Sequence, residues 1–425
     1  VMWRYTVDKI LVKGGNSLSG SVSISSAKNA YLPILAGAVL CSGEVVLHKF
    51  PKYDDVINMI EILENLGGKS AIEDGSLILN MKSLSSYEIP RELASLTRSS
   101  IFSLGSILGR FKFARVAYPG GCEIGARPID LHIKGLEALN VKVVDRRGYL
   151  TCDGRNMHAG NVHLDFPSVG ATENVMMAAV LTKGRTKIFN AAKEPEIVDL
   201  QNFLNKAGAK IRGAGTTTIT IDGVEKLGSV EYTPVPDRII AGTYLIATIM
   251  CGGDVLLENA RPEHLQALIS KFDNNSCKIV TKSDRIRVIS NGRPKSINKI
   301  ETMPYPGFPT DLQPQIMALQ TISNGTSVII ENLFETRFKH VTELVKMGAQ
   351  ILTEGRSAVI KGVEKLYGAE VTATDLRGGA GLVLAGLVAD GYTTISNIGQ
   401  IKRGYESIES DLKCLGADIK KVEFL

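Results

Sequence analysis

Residues 341–354 read VTELVKMGAQILTE. Val341, Leu344 and Val345 fall on one face at helical spacing, a glycine turn follows, and a short strand ends the phrase. The same phrase returns as MIEILENLGGKSAI (59–72), IKGLEALNVKVV (133–144), LQNFLNKAGAKIRG (200–213), LQALISKFDNNSCKIV (265–280) and IESDLKCLGADIKKV (408–422). Its turn falls near residues 67, 140, 208, 274, 348 and 416, with successive gaps of 73, 68, 66, 74 and 68. Six units of about 70 residues, longer than solenoid repeats, therefore account for the chain.

A second phrase alternates with the first: an apolar helix, a glycine turn and a strand. It reads YLPILAGAVLCSGEVVLHKF (31–50), VMMAAVLTKGRTKIFN (175–190), YLIATIMCGGDVLLEN (244–259), IMALQTISNGTSVIIEN (316–332) and LVLAGLVADGYTTISN (382–397). Helices apolar all round belong inside. Strands that alternate, as Thr186-Lys187-Ile188-Phe189 does, have one wet face. The expected fold class is α/β, with two similar domains of three units each. The link falls near YTPVPDR (232–238), where two prolines interrupt the pattern. The N-terminal strand TVDKILVKGG (6–15) needs a sheet partner. Pairing with the last unit places a second crossover near Ser25–Lys28. The expected domains are 26–234, and 1–25 plus 235–425, with the active site in the cleft between them.

The chain has 425 residues, 49 basic and 44 acidic, for a charge of +5. With 44% hydrophobic and 22% charged residues it has the composition of a globular protein with substantial cores. Basic residues are scattered rather than blocked, which argues against nucleic acid as a partner. No apolar run of about 20 residues indicates a membrane span, and the first residues lack a signal-peptide core. Six cysteines without a CxxC pair and six histidines without paired spacing suggest neither zinc nor a disulfide framework. A cytoplasmic protein without metal or cofactor is expected, with no obligatory protein partner.

Three loops carry candidate chemistry. In SSAKNAYLPIL (25–35), Lys28 and Asn29 open an apolar helix; a cation at a helix N-terminus makes an anion site, although a surface lysine beside an asparagine cap fits equally. In YPGGCEIGARPIDLH (118–132), Gly120 and Gly121 can form an anion nest. Arg127 adds a planar fork, and positive surroundings lower a thiol pKa and raise the reactivity of Cys122; a tight turn with an exposed cysteine is the alternative. In PYPGFPTDLQPQ (304–315), Asp311 is either a helix cap or a general base. Arg98, Arg337, Arg377 and Arg403 stand beside the apolar helices. Were they to converge with Lys28 and Arg127, they would suit a ligand carrying phosphate and carboxylate.

These residues resemble the enolpyruvyl transferases, in the branch that acts on UDP-N-acetylglucosamine. The motifs are SxAKNAxLPIL, PGGCxIGARPxDLH, AAxEPEIVDLxNFL, VPDRIxAGTY, FPTDLQPQ, FExRFxHVxEL, TDLR and RGYExIE, in order across almost the full chain. The resemblance implies an inside-out α/β barrel type of fold: two domains, each three copies of a small βαβαββ unit, helices inside and four-stranded sheets outside. It implies transfer of the enolpyruvyl group of phosphoenolpyruvate to the 3′-hydroxyl of UDP-N-acetylglucosamine with release of phosphate, in peptidoglycan synthesis, without a metal. Cys122 would be the general acid and the target of the epoxide fosfomycin. Lys28, Asn29, Arg127 and Arg403 would meet phosphoenolpyruvate, with Arg337 and Arg377 serving its carboxylate or closure. Asp311 would contact and deprotonate the sugar hydroxyl. Arg98, the run Arg127, Pro128, Ile129, Asp130 and Leu131, the run Phe166, Pro167, Ser168 and Val169, and Leu333 would hold the UDP-sugar.

The chain departs from the pattern at Ser26, usually glycine. It departs again in QIKRGYE (400–406), where Gln400 and Lys402 replace His and Asp beside Arg403, and in the glycine-rich run after TDLR. The shikimate-phosphate branch of the same fold and a silent sugar-nucleotide-binding paralogue are the alternatives.

Overall fold

A computed structural model describes residues 7–120, 124–125, 128–272 and 277–424. They divide into two units, one formed by 7–25, 124–125 and 236–424, the other by 26–120 and 128–235. The five apolar segments and a sixth that the second phrase did not include, Ser103–Phe111, form helices α1 (Lys28–Ala38), α2 (Ser103–Phe111), α3 (Val169–Val180), α4 (Arg238–Cys251), α5 (Gln313–Ile322) and α6 (Leu376–Val388). Every residue of α4 from Ile239 to Met250 is buried, as is every residue of α6 from Arg377 to Leu387. Within the first unit α4, α5 and α6 pack on one another. In the second, α2 packs on both α1 and α3. Glycine permits such close crossings: a Cβ on Gly105 of α2 would stand 2.1 Å from the carbonyl oxygen of Asn174 in α3.

Around these helices lie six four-stranded sheets, none of them closed into a barrel among the described residues. All share one pattern: a parallel edge pair followed by two antiparallel pairs. The turn of the first phrase is left-handed at Gly67, Gly208, Gly348 and Gly416, and at Asn140, which takes φ 62° in place of glycine. The turn near 274 lies outside the described residues.

The chain's first strand does find its partner in the last unit. Val7–Lys13 runs antiparallel to both Tyr392–Ser396 and Asp418–Phe424, so it sits inside that sheet. The next strand, Leu18–Ser23, supplies the parallel edge beside Gly253–Glu258. Val230–Tyr232 does the same in the second unit, beside Glu44–Leu47. No helix among the described residues is long and apolar enough to cross a membrane.

Candidate active site

In the first unit, Asp311 lies in a 3₁₀ turn, Thr310–Leu312, that leads into α5. Its carboxylate does not cap that helix; the N-cap of α5 is Leu312, without a side-chain bond. It takes Nη2 of Arg337 on Oδ1 at 3.2 Å, and Nε and Nη2 of Arg377 on Oδ2 at 3.3 and 3.1 Å. Both guanidiniums are buried, at 2% exposure, whereas the Asp311 side chain is 24% exposed. Burial works against the charge on Arg377, but Asp311, Tyr405 and Asp237 hold its pKa above the ordinary value. Nε of Arg337 and Nη1 of Arg377 are buried and have no hydrogen-bond partner among the described residues. A buried donor without an acceptor costs about 1–3 kcal/mol, so two beside one carboxylate mark a place built for an anion.

Glu331 ties Leu333 to this cluster. Its carboxylate accepts the hydroxyls of Thr302 and Thr310 at 2.9 Å each, and the N–H groups of Leu333 and Phe334 at 2.9 and 3.2 Å. Ile124, from the glycine loop, accepts the Thr336 N–H at 3.2 Å beside Arg337. Arg403 is half-buried at the end of the short helix Gly399–Lys402, and its Nη1 lies 3.5 Å from Oε1 of Gln400. The unusual Lys402 ion-pairs with Asp8 of the first strand at 3.0 Å, as does Lys421 at 2.8 Å.

In the second unit, Lys28 is the first residue of α1 and is buried; the surface-lysine alternative does not hold. Its Nζ meets Oδ2 of Asp55 at 3.0 Å, with side chains 10% and 3% exposed. A cation at the positive end of a helix is unfavourable, and Asp55, in the first turn of Asp54–Asn65, offsets it. Asn29 follows Lys28 in α1, half-buried, and is not a cap; the N-cap is Ala27. Ser26, in place of glycine, donates its hydroxyl to the Lys49 carbonyl at 3.0 Å.

A second group in this unit surrounds His132. The imidazole is pushed down to about 4 by burial and by Arg98, with Asp130 acting the other way. Its Nδ1 is 2.8 Å from Nδ2 of Asn174. Arg98 opens a 3₁₀ turn, Asp130 and Leu131 open the helix Asp130–Glu137, and Ser168 caps α3, its Oγ accepting the Ala171 N–H at 3.3 Å. Pro128 and Phe166 are exposed, Pro167 and Val169 half-buried, and Ile129 buried. Cys122 and Arg127 lie outside the described residues. Asp55, His132 and Tyr405 each belong to these clusters without having been singled out in the sequence. The signal for His132 was its place in the quoted glycine-loop motif; Asp55 had none, being a charge in an ordinary amphipathic helix. Among the described residues no group of three or more His, Cys, Asp or Glu side chains is placed to hold a metal ion.

The model of the family described as EPSP synthase (3-phosphoshikimate 1-carboxyvinyltransferase) matches residues 12–412. UDP-N-acetylglucosamine 1-carboxyvinyltransferase 2 of Caldanaerobacter subterraneus subsp. tengcongensis is 51% identical, over 97% of this chain and 99% of its own. The protein of the same name from Carboxydothermus hydrogenoformans is also 51% identical, over 98% and 100%. Among solved structures, the enolpyruvyl transferase NikO from Streptomyces tendae superposes with a TM-score of 0.88 at 22% identity, covering 99% of this chain and 100% of that one. EPSP synthase from Acinetobacter baumannii gives 0.71 at 15%, covering 98% and 100%. At those identities the two structures bear on the fold alone.

Proposed function

We propose, from the premise that this chain belongs to the EPSP synthase (3-phosphoshikimate 1-carboxyvinyltransferase) family, that it transfers the enolpyruvyl group of phosphoenolpyruvate to the 3′-hydroxyl of UDP-N-acetylglucosamine, releasing phosphate. The product is a precursor for peptidoglycan synthesis. The observation that carries the chemistry is Asp311 held between buried Arg337 and Arg377. The choice of acceptor rests on the relatives of that name at 51% identity over nearly the whole of both chains.

In the addition step the sugar oxygen bonds to C2 of phosphoenolpyruvate while C3 gains a proton. Asp311 takes the hydroxyl proton and Cys122 supplies the one at C3. The resulting tetrahedral phospho-ketal then loses a proton from C3, its bond to the phosphate oxygen breaks, and the enol ether remains. The unpartnered N–H groups of Arg337 and Arg377 suit the pyruvyl carboxylate. Lys28 and Asn29 bind phosphoenolpyruvate, with Arg127 and Arg403 beside its phosphate. Arg98, Arg127 to Leu131, Phe166 to Val169, and Leu333 serve the UDP-sugar.

The test is phosphate release. It should require phosphoenolpyruvate and UDP-N-acetylglucosamine together. Release with shikimate 3-phosphate instead would favour the other branch of the fold, and sugar-nucleotide binding without release would mark a silent paralogue. Cys122→Ala should abolish turnover near neutral pH while UDP-sugar binding persists; undiminished turnover would remove the thiol from the mechanism.

A further inference from the structure

We propose that Tyr405 is a positioning residue for the Asp311 carboxylate, acting through Arg377 and anchored by Thr243 and Gln315. The inference rests on the reading above, in which Asp311 receives the acceptor's proton. Arg377 sits with its Cζ 5.6 Å from the centre of the Tyr405 ring, within cation–π range. The ring thus covers the guanidinium while two of its N–H groups reach Asp311. Both go to the same oxygen, Oδ2. A tilt of the guanidinium plane therefore weakens the two bonds together, and the carboxylate moves with them.

The ring is fixed by its hydroxyl. That oxygen lies 2.8 Å from Oγ1 of Thr243 and 3.4 Å from Nε2 of Gln315, and the amide is 3.1 Å from the threonine oxygen. Thr243 has one proton, and the Ile239 carbonyl at 2.8 Å also stands within its reach. Either oxygen can therefore donate in the Tyr405–Thr243 bond, and Gln315 donates to both. All four side chains are buried. Thr243 stands on α4, Gln315 on α5 and Arg377 on α6, so the network references the site to the three inner helices of its unit. A residue that only filled space would need the ring and not the hydroxyl.

The experiment measures kcat and KM for Tyr405→Leu and Tyr405→Phe, each alone and combined with Asp311→Asn. Tyr405→Leu should lower kcat about 100-fold, the scale of a 1 Å misplacement. Tyr405→Phe keeps the face and loses the anchor, and should lose about 5- to 10-fold, with KM for the UDP-sugar within about 3-fold of wild type in both. Beside Asp311→Asn, the leucine change should cost less than about 3-fold more, because the two act in series. Equal losses with and without Asp311→Asn would indicate simple packing and overturn the inference. Should the leucine variant not fold, Tyr405→Phe and Thr243→Val decide: kcat unchanged in both overturns it. Wild-type turnover in Asp311→Asn would overturn the functional reading along with this one. Wild-type turnover in Tyr405→Leu where Asp311→Asn has lost it would overturn this inference alone.

Discussion

Three aspartates stand where α4, α5 and α6 begin, and two of them do one thing while the third does another. Asp237 accepts the N–H groups of Ile239 and Ile240 at 2.7 and 3.0 Å. Asp375 accepts those of Arg377 and Gly378 at 3.0 and 3.1 Å. Both are ordinary caps. Asp311 occupies the corresponding place, but a 3₁₀ turn precedes its helix and the cap position passes to Leu312. The carboxylate is held by two arginines. In the second unit the starts are Lys28, Thr97 with Arg98, and Ser168. Thr97 and Ser168 cap, while Lys28 is held by Asp55. In each unit, then, one helix start gives up capping in favour of a charged side chain held by an opposite charge. The scaffold repeats and its chemistry does not.

The largest effect should come from Asp311→Asn, which keeps the shape and removes the base. A loss in kcat of about 10³-fold is expected, together with a fall in the denaturation midpoint, because two buried guanidiniums lose this counter-charge; an unaltered rate would put Asp311 back among the caps. Next comes Asp55→Asn, which leaves Lys28 buried without this counter-charge. Breaking such a pair costs roughly 3 kcal/mol, readable by urea titration, and an unmoved midpoint would show that Lys28 does not depend on Asp55. Asp237→Ala should cost less, about 1–2 kcal/mol, the range of a lost cap. A cost no greater than that of an exposed substitution would contradict the capping assignment.

A further effect is one of pH. His340, a fully buried ring, is pushed down to about 4 by burial and by Arg337, with Asp375 opposing. An unfolded histidine takes its proton near 6.5. Between those values the unfolded chain binds more protons, so stability falls as the pH drops from 6.5 towards 4. His340→Gln should lose stability less steeply over that window than wild type. Parallel curves from pH 7 to 4 would mean the ring is protonated in the folded protein.

Local periodicity made both phrases visible, because a glycine after an amphipathic helix needs no distant partner to be recognised. The first strand's destination was legible because that strand, standing ahead of the first helix, needed a sheet partner. The allocation of roles among aspartates was not, since Asp237, Asp311 and Asp375 all precede apolar helices and differ only in what packs above them. Asp55 meets Lys28 across 27 residues and Tyr405 meets Thr243 across 162, separations at which spacing carries no information. The substitution at 402 likewise finds its partner, Asp8, at the other end of the chain.

The strand Val7–Lys13 lies between Tyr392–Ser396 and Asp418–Phe424, and the last of these touches the sheet only through it. On a ribosome this segment is made well before residues 392–396 and 418–424 and must wait for them before it has strand neighbours. The 26–235 unit, contiguous apart from the short loop insert, has no such delay and should become protease-resistant while the rest is still being made. Stalled chains ending before residue 392 should show that protection there and leave Val7–Lys13 open to cleavage.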